Sequence, residues 1–369
     1  MTQQASDDVT VRFARPSDGE RCNVFYNQYY KRQRTIEQWR WEFCRQVLDD
    51  GTIPFAMAEH GGEVVGTQAL IPIELIDGTG TYWSAKSEET LVASSMRGRG
   101  LFRRLYEPLM RLARERRLES IWGFTPATSA FLKEGFTAPA RTSQLVRAFN
   151  NKALGALLSS TQPDERNRLR YDIASRLLAT YGTVVGAFGA RRSFLDLRDL
   201  DTAPAWADEL SNAFIRQWGG TTIHRSQEYM QWRLFENPFR RCLVVAAFRD
   251  QKPVGWIAFG IGSTGVAAVV DVFVAPPDPA EAGAIVQALV GEATRRSRDM
   301  GASAIRAWHV SEHPFSRVIR RAVARLGWVH ARRGFEMVLK QTPAIQPRPE
   351  SATMDQWYVS RVYTEGSDI

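Results

Sequence analysis

Apolar and polar residues alternate along Thr10-Val11-Arg12-Phe13-Ala14-Arg15, which predicts an opening β-strand. Pro16 ends it, and Ser17-Asp18 offers a cap for the next helix. Residues 19–47 read as two helices rich in aromatics. Strands are predicted at 54–60 and 63–75, joined by the hairpin signal Gly61-Gly62, and at 80–93. From 101 to 117 the period changes: Leu101, Leu105, Leu109 and Leu112 recur at helical spacing, with Pro108 expected to kink or loosen one turn. A short strand Ser120-Ile121-Trp122-Gly123-Phe124, a helix ending at Lys133-Glu134-Gly135-Phe136 and a strand over 141–149 complete the first half. Between 150 and 190, Leu154, Leu157 and Leu158, then Ile173, Leu177 and Leu178, read as connector helices around the polar stretch Gln162-Pro163-Asp164-Glu165-Arg166.

The second half repeats the order of the first. Gln38-Trp39-Arg40 has a counterpart in Gln231-Trp232-Arg233; Ala58 with Val65-Gly66 has one in Ala247 with Val254-Gly255; Lys133-Glu134-Gly135-Phe136 has one in Arg325-Leu326-Gly327-Trp328. Matches in the same order point to a duplicated fold. A chain of 369 residues is also too long for one ordinary core. The expected organisation is an α+β fold of two domains, each a mixed, mostly antiparallel sheet flanked by helices. The segments are 1–150, a helical connector 151–190, 191–342, and a tail 343–369.

Composition adds exclusions. Apolar residues are 44% and charged residues 24%, an ordinary globular balance. No apolar run is long enough for a membrane span, and Met1–Asp8 has neither the basic nor the apolar region of a signal peptide. Cys22, Cys44 and Cys242 form neither a disulfide framework nor a zinc pattern, and the five histidines do not cluster. A cytoplasmic protein without a metal site is expected. The formal charge of +8 is compatible with a polyanionic ligand, but it is spread along the chain and decides nothing alone. Of the tryptophans, Trp39, Trp41, Trp83, Trp122, Trp232, Trp256, Trp308 and Trp328 lie in predicted elements, and most should be core.

The chemistry concentrates at Glu89-Thr90-Leu91-Val92-Ala93-Ser94-Ser95-Met96-Arg97-Gly98-Arg99-Gly100-Leu101-Phe102. A strand runs into a glycine-bearing turn and a helix begins at once. Backbone N–H groups of such a turn point inward, and the helix N-terminus adds positive potential. Gly98 and Gly100 give backbone freedom, Arg97 and Arg99 supply charge, and Arg103 and Arg104 follow one turn on. The best match for this anion cradle is a diphosphate. In the second half, Ala275-Pro276-Pro277-Asp278-Pro279 takes its place; prolines remove the donors, and Asp278 reads as a helix cap.

The stretch resembles motif A of the GCN5-related N-acetyltransferase (GNAT) superfamily, Gln/Arg-x-x-Gly-x-Gly/Ala, with Arg97, Gly100 and Phe102 at the three positions; Phe102 departs from the pattern. Ser87-Glu88-Glu89-Thr90, Gly123-Phe124 with Ser129, Trp232-Arg233 with Asn237-Pro238, and Trp357-Tyr358 are similar to a subgroup of polysaccharide-biosynthesis acyltransferases. The resemblance spans nearly the whole chain. It implies acetyl-CoA or another acyl-CoA as co-substrate, held by Leu91, Val92, Arg97, Gly98, Arg99, Gly100, Leu101 and Phe102, with a Leu91 or Val92 amide on the thioester carbonyl. It implies a small-molecule amine as acceptor, an amino sugar or nucleotide-linked amino sugar in that subgroup. An ammonium acceptor needs a base, for which Glu88 and Glu89 are candidates, on opposite faces by alternation. The superfamily's usual tyrosine acid falls at Phe131, which cannot donate; Ser129 is the nearby alternative and Tyr106 a more remote one. Two other readings stay open: aminoacyl or long-chain acyl transfer on the same tandem fold, with tRNA as a partner only there, and a non-catalytic ligand-binding module.

Overall fold

The computed structural model describes residues 9–30, 33–158, 165–189, 195–310, 313–331, 334–342 and 356–363. Met1–Asp8, Gln162-Pro163-Asp164, and most of the segment 343–369 therefore lie outside the described residues. The first half runs β1 (Thr10–Phe13), α1 (Gly19–Tyr30), α2 (Ile36–Phe43), β2 (Phe55–His60), β3 (Glu63–Asp77), β4 (Gly80–Val92), α3 (Leu101–Glu115), β5 (Ser120–Thr125), α4 (Thr128–Lys133), β6 (Thr137–Arg141) and β7 (Ser143–Ala148). It continues through α5 (Ala153–Leu157) and α6 (Glu165–Gly189). The second half runs β8 (Asp196–Leu200), α7 (Ala207–Trp218), β9 (Thr222–Ile223), α8 (Gln227–Met230), β10 (Leu243–Arg249), β11 (Lys252–Ile261), β12 (Val266–Val274), α9 (Ala282–Asp299), β13 (Ala304–His309), α10 (Pro314–Ala324), β14 (Val329–Ala331) and β15 (Glu336–Gln341).

Local physics accounts for most of this. Thr35 caps α2 by accepting from the Gln38 amide, while the Gln38 side chain reaches back to the Thr35 N–H, a reciprocal capping box. In α3 the predicted leucines face inward with Tyr106 and Ala113, and the helix continues through Pro108 without ending. Leu101, Leu105 and Leu109 pack with Ala85, Ile121 and Phe131 in one core. The strand foreseen at 141–149 is β7; two features differ from expectation, since a further strand, β6, precedes it and Trp83 lies half-exposed, outside the core.

The two sheets have the same plan. One is ordered β1-β2-β3-β4-β5-β15-β6 and the other β8-β10-β11-β12-β13-β7-β14. In each, the fourth and fifth strands run parallel, β4 with β5 and β12 with β13. In each, the sixth strand comes from the other half of the chain: β15 pairs antiparallel with β5, and β7 with β13 and β14. This is a tandem α+β fold of two mixed sheets flanked by helices. The compact units do not follow a cut at residue 150. One comprises 1–75, 82–139 and 336–347; the other comprises 76–81, 140–335 and 348–369. The exchange has a hydrogen-bonding reason: β5 and β13 each need a partner on the side away from their parallel neighbour, and an unpaired edge there would leave backbone groups unsatisfied.

Val338 on β15 is fully buried in the core of the first unit. Val338→Asp should destabilise that unit by about 3 kcal/mol or more, because an unpaired carboxylate enters an apolar core. Urea unfolding with amide exchange of β5 measures it; unchanged protection in β5 would refute the dependence on the exchanged strand.

Candidate functional site

The site is built where β4 parts from β5. The ladder pairs Ala85 with Ile121 and Lys86 with Trp122 and then ends. Gly123 still lies against β4: a Cβ there would come within 2.9 Å of the Ser87 carbonyl oxygen. Two residues past Ser87, Glu89 adopts the left-handed conformation at φ 56°, which for a residue with a Cβ costs on the order of 1–3 kcal/mol. The strand bulges there, and its carbonyls are held by side chains of β3. Thr67 Oγ1 donates to the Glu89 carbonyl (3.1 Å), and Gln68 Nε2 to the Glu88 carbonyl (3.0 Å). Thr90 Oγ1 donates to Gln68 Oε1 (2.6 Å).

What holds the bulge is a buried ion pair. Arg34, the residue before the Thr35 cap, forks onto Glu89 with contacts of 2.8 and 2.6 Å. Its Nε donates to Asn23 Oδ1 (2.7 Å), its carbonyl accepts from Asn23 and Asn27, and its guanidinium lies 3.7 Å from the Tyr26 ring centre. Glu42 stands 4.0 Å away. Burial opposes the charge on Arg34, but the Glu89 carboxylate outweighs it and raises the guanidinium's affinity for its proton.

Beyond the bulge, β4 leads through Ala93 into the turn. Arg97 Nε donates to the Val92 carbonyl (3.3 Å), and its guanidinium sits 5.4 Å from the Tyr29 ring centre. Gly98 and Gly100 both take positive φ, 78° and 72°, and a Cβ on either would meet open space. Backbone conformation, not crowding, therefore calls for glycine at both. Gly100 is the N-cap of α3 and offers no side-chain cap. The first amides of α3 thus face outward beside an exposed Arg97-Gly98-Arg99-Gly100 turn. Leu101 is buried and Phe102 half-buried, and both help anchor the helix start in the core. Arg103 is tied to Glu134 (3.1 Å) and Arg104 to the Val9 carbonyl, so neither turns its charge only to the cradle.

The structure sorts the candidate proton carriers. Glu89 is wholly buried with Arg34, whereas Glu88 is partly exposed beside Lys86, with which it pairs. Alternation across the strand does not survive the bulge at Glu89. Phe131 packs against Phe102, Tyr106 and Phe136. Ser129 is exposed on α4. Tyr106 is buried with its hydroxyl on Ser87 Oγ, and burial pushes its pKa upward, so it stays protonated. Arg34 escaped sequence reasoning; its signal was the position just before a Thr cap, near the repeated Gln-Trp-Arg.

The second unit repeats the lock. Its parallel ladder ends at Ala268, and Asp271 lies three residues on, as Glu89 lies three past Lys86. Arg225, just before the Ser226 cap of α8, forks onto Asp271 at 2.8 and 2.9 Å. Here a segment from the chain's end joins in. Ser360 Oγ donates to Asp271 (2.6 Å), and the Tyr358 hydroxyl donates to the Val272 carbonyl. Part of the expected separate tail is thus buried against β12. Asp278 caps the following turn by accepting from the Ala280 amide (2.9 Å). His313, which caps α10, stacks on Phe214 and lies tilted against Tyr358, and burial lowers its pKa to about 4.

Residues 20–136 match the acetyltransferase (GNAT) family model. No curated protein matches the chain. Among solved structures, a GCN5-related N-acetyltransferase from Anabaena variabilis superposes with a TM-score of 0.62 and 12% identity, over 91% of this chain and 74% of its own. One from Kribbella flavida gives 0.59 and 14%, over 92% and 72%. A conserved protein of unknown function from Enterococcus faecalis V583 gives 0.60 and 8%, over 91% and 72%. The structural likeness extends the fold across both units. The family match is confined to residues 20–136. No helix among the described residues is long and apolar enough to cross a membrane.

Two outcomes follow from the locks. Glu89→Gln leaves Arg34 buried without its fork partner and should cost about 3–5 kcal/mol in urea unfolding; a loss below about 1 kcal/mol would mean the pair does not set the bulge. His313 titrates at a lower pH folded than unfolded, so the unfolded chain binds more protons between pH 6.5 and about 4. Stability should fall as pH drops through that window, by about 3 kcal/mol at most. His313→Asn should flatten the dependence; an identical slope would assign it elsewhere.

Proposed function

We propose that this chain, through its GNAT-family domain, transfers an acetyl or other acyl group from CoA to the primary amine of a small acceptor. The observation that carries the reading is one continuous piece of backbone: a strand splayed from its parallel neighbour, bulged at Glu89, running into a turn of two left-handed glycines at the uncapped start of α3. The turn supplies amides and the exposed Arg97 and Arg99 for a diphosphate, with Gly98, Gly100, Leu101 and Phe102 shaping the helix start. The bulge frees the strand end beyond Ser87, so that an amide of Leu91 or Val92 stabilises the thioester oxygen as charge develops. The amine nitrogen attacks the acyl carbon, the C–N bond forms, the C–S bond breaks, and thiolate leaves. Glu88, the partly exposed carboxylate, takes the ammonium proton directly or through water. Ser129 is assigned to the thiolate's proton; a thiolate is a good enough leaving group that its loss should slow the reaction only modestly. Glu89 is given the structural task of holding the bulge.

The second unit keeps the lock but not the cradle. Prolines follow β12, and Tyr358 and Ser360 cover the strand where the donor would lie, which supports one donor site per chain. An amino sugar, free or carried on a nucleotide, is the acceptor class assigned.

Millimolar acetyl-CoA should raise the melting temperature of the wild type and not that of Arg97→Glu or Gly100→Asp. Release of free thiol with a panel of amino sugars and amines then reads turnover. An unchanged melting temperature in the wild type would sink the donor assignment; thiol release with no member of the panel, despite a donor shift, would sink only the acceptor class.

A further inference from the structure

The helix α6 separates its faces clearly. On the inner face Ser175 Oγ accepts from the Leu154 amide (3.0 Å), and Leu178 and Ala179 pack against Ala148, Ala153, Val266 and Ala304. Gly182 and Gly186 lie against the Arg147 guanidinium. On the outer face Leu169, Ile173, Leu177, Tyr181, Val184 and Phe188 are each between 47% and 89% exposed. Their separations of three or four residues place them in one stripe, about 28 Å long at 1.5 Å per residue. Soluble monomers rarely expose so large a contiguous apolar patch.

We propose that this stripe is the interface of a homodimer, in which α6 packs antiparallel on α6 of a second copy about a two-fold axis. The stripe is nearly palindromic. An axis between Leu177 and Tyr181 sets Leu169 opposite Phe188, Ile173 opposite Val184 and Leu177 opposite Tyr181, so every large apolar residue meets another. Charge selects the direction. The charged residues of the helix, Glu165, Arg166, Arg168, Arg170, Asp172 and Arg176, all lie in its first half with a net positive charge, and residues 177–189 carry none. Antiparallel packing lays each basic half on an uncharged half, whereas parallel packing would stack arginine on arginine. The same one-ended charge disfavours an anionic membrane, which would draw cations along the whole flank. Area is sufficient: taking roughly 150–250 Å² for a large side chain in full exposure, the six expose about 700 Å² per copy. Two copies would then bury about 1,400 Å², inside the range of about 1,200–2,000 Å² for a specific interface.

Sedimentation equilibrium of the full chain at high micromolar concentration should give a dimer. Leu177→Asp and Tyr181→Asp should each give a monomer with an unchanged circular-dichroism spectrum, because both side chains point outward. An equimolar mixture of Leu177→Cys and Tyr181→Cys chains should form a covalent dimer under mild oxidation faster than either variant alone; faster crosslinking of Leu177→Cys alone would indicate parallel packing and overturn the arrangement. A monomeric wild type, whether or not it floats with phosphatidylglycerol vesicles, would overturn the proposal, as would a dimer that survives Leu177→Asp.

Discussion

The fork between Arg34 and Glu89 is the interaction on which the site depends. A glutamate in the left-handed region, inside a strand and out of water, is doubly unfavourable: its backbone is strained and its charge is desolvated. Arg34 answers the second cost with two charge-assisted bonds and, by anchoring the carboxylate, fixes the backbone that bears the first. The bulge then turns β4 away from β5 after the Ser87–Gly123 approach. Everything attributed to the donor side, from the freed strand end to the glycine turn, lies downstream of that bend. A polar cluster of this kind adds little net stability; its effect is to select one strand path over a regular one.

The same device in the second unit, Arg225 on Asp271, shows that the lock belongs to the fold and not only to the chemistry. Both arginines directly precede a helix cap, and both acids lie three residues past the end of a parallel ladder. The two copies part company afterwards. In one unit the strand leads to glycines, exposed arginines and open amides; in the other it leads to prolines, and aromatic and hydroxyl groups from the chain's end cover it. One half keeps an open glycine turn, the other has filled the corresponding space with its own side chains.

The exchanged sixth strands give each half a share in the other's sheet. Val338, far along the chain, completes the core around α3, the helix that starts at the glycine turn. Stability around α3 is therefore distributed over distant sequence, and neither half is a self-sufficient segment.

Short-range patterns determined a great deal. Period-two and helical spacing placed β1 to β5, α3 and the connector helices; the order of repeated fragments gave the duplication; Arg97-Gly98-Arg99-Gly100 gave the glycine turn between a strand and a helix. These are readable because each depends on residues a few positions apart. The fate of Glu88 and Glu89 was not readable. Alternation treats them as equals on opposite faces, but a bulge and an arginine 55 positions away bury one and leave the other partly exposed. Nor could the sequence reveal the strand exchange, the tail against β12, or the exposure of Trp83. Those outcomes turn on which long-range partner satisfies a backbone edge, a buried charge or an apolar surface, and only the assembled tertiary structure makes that choice.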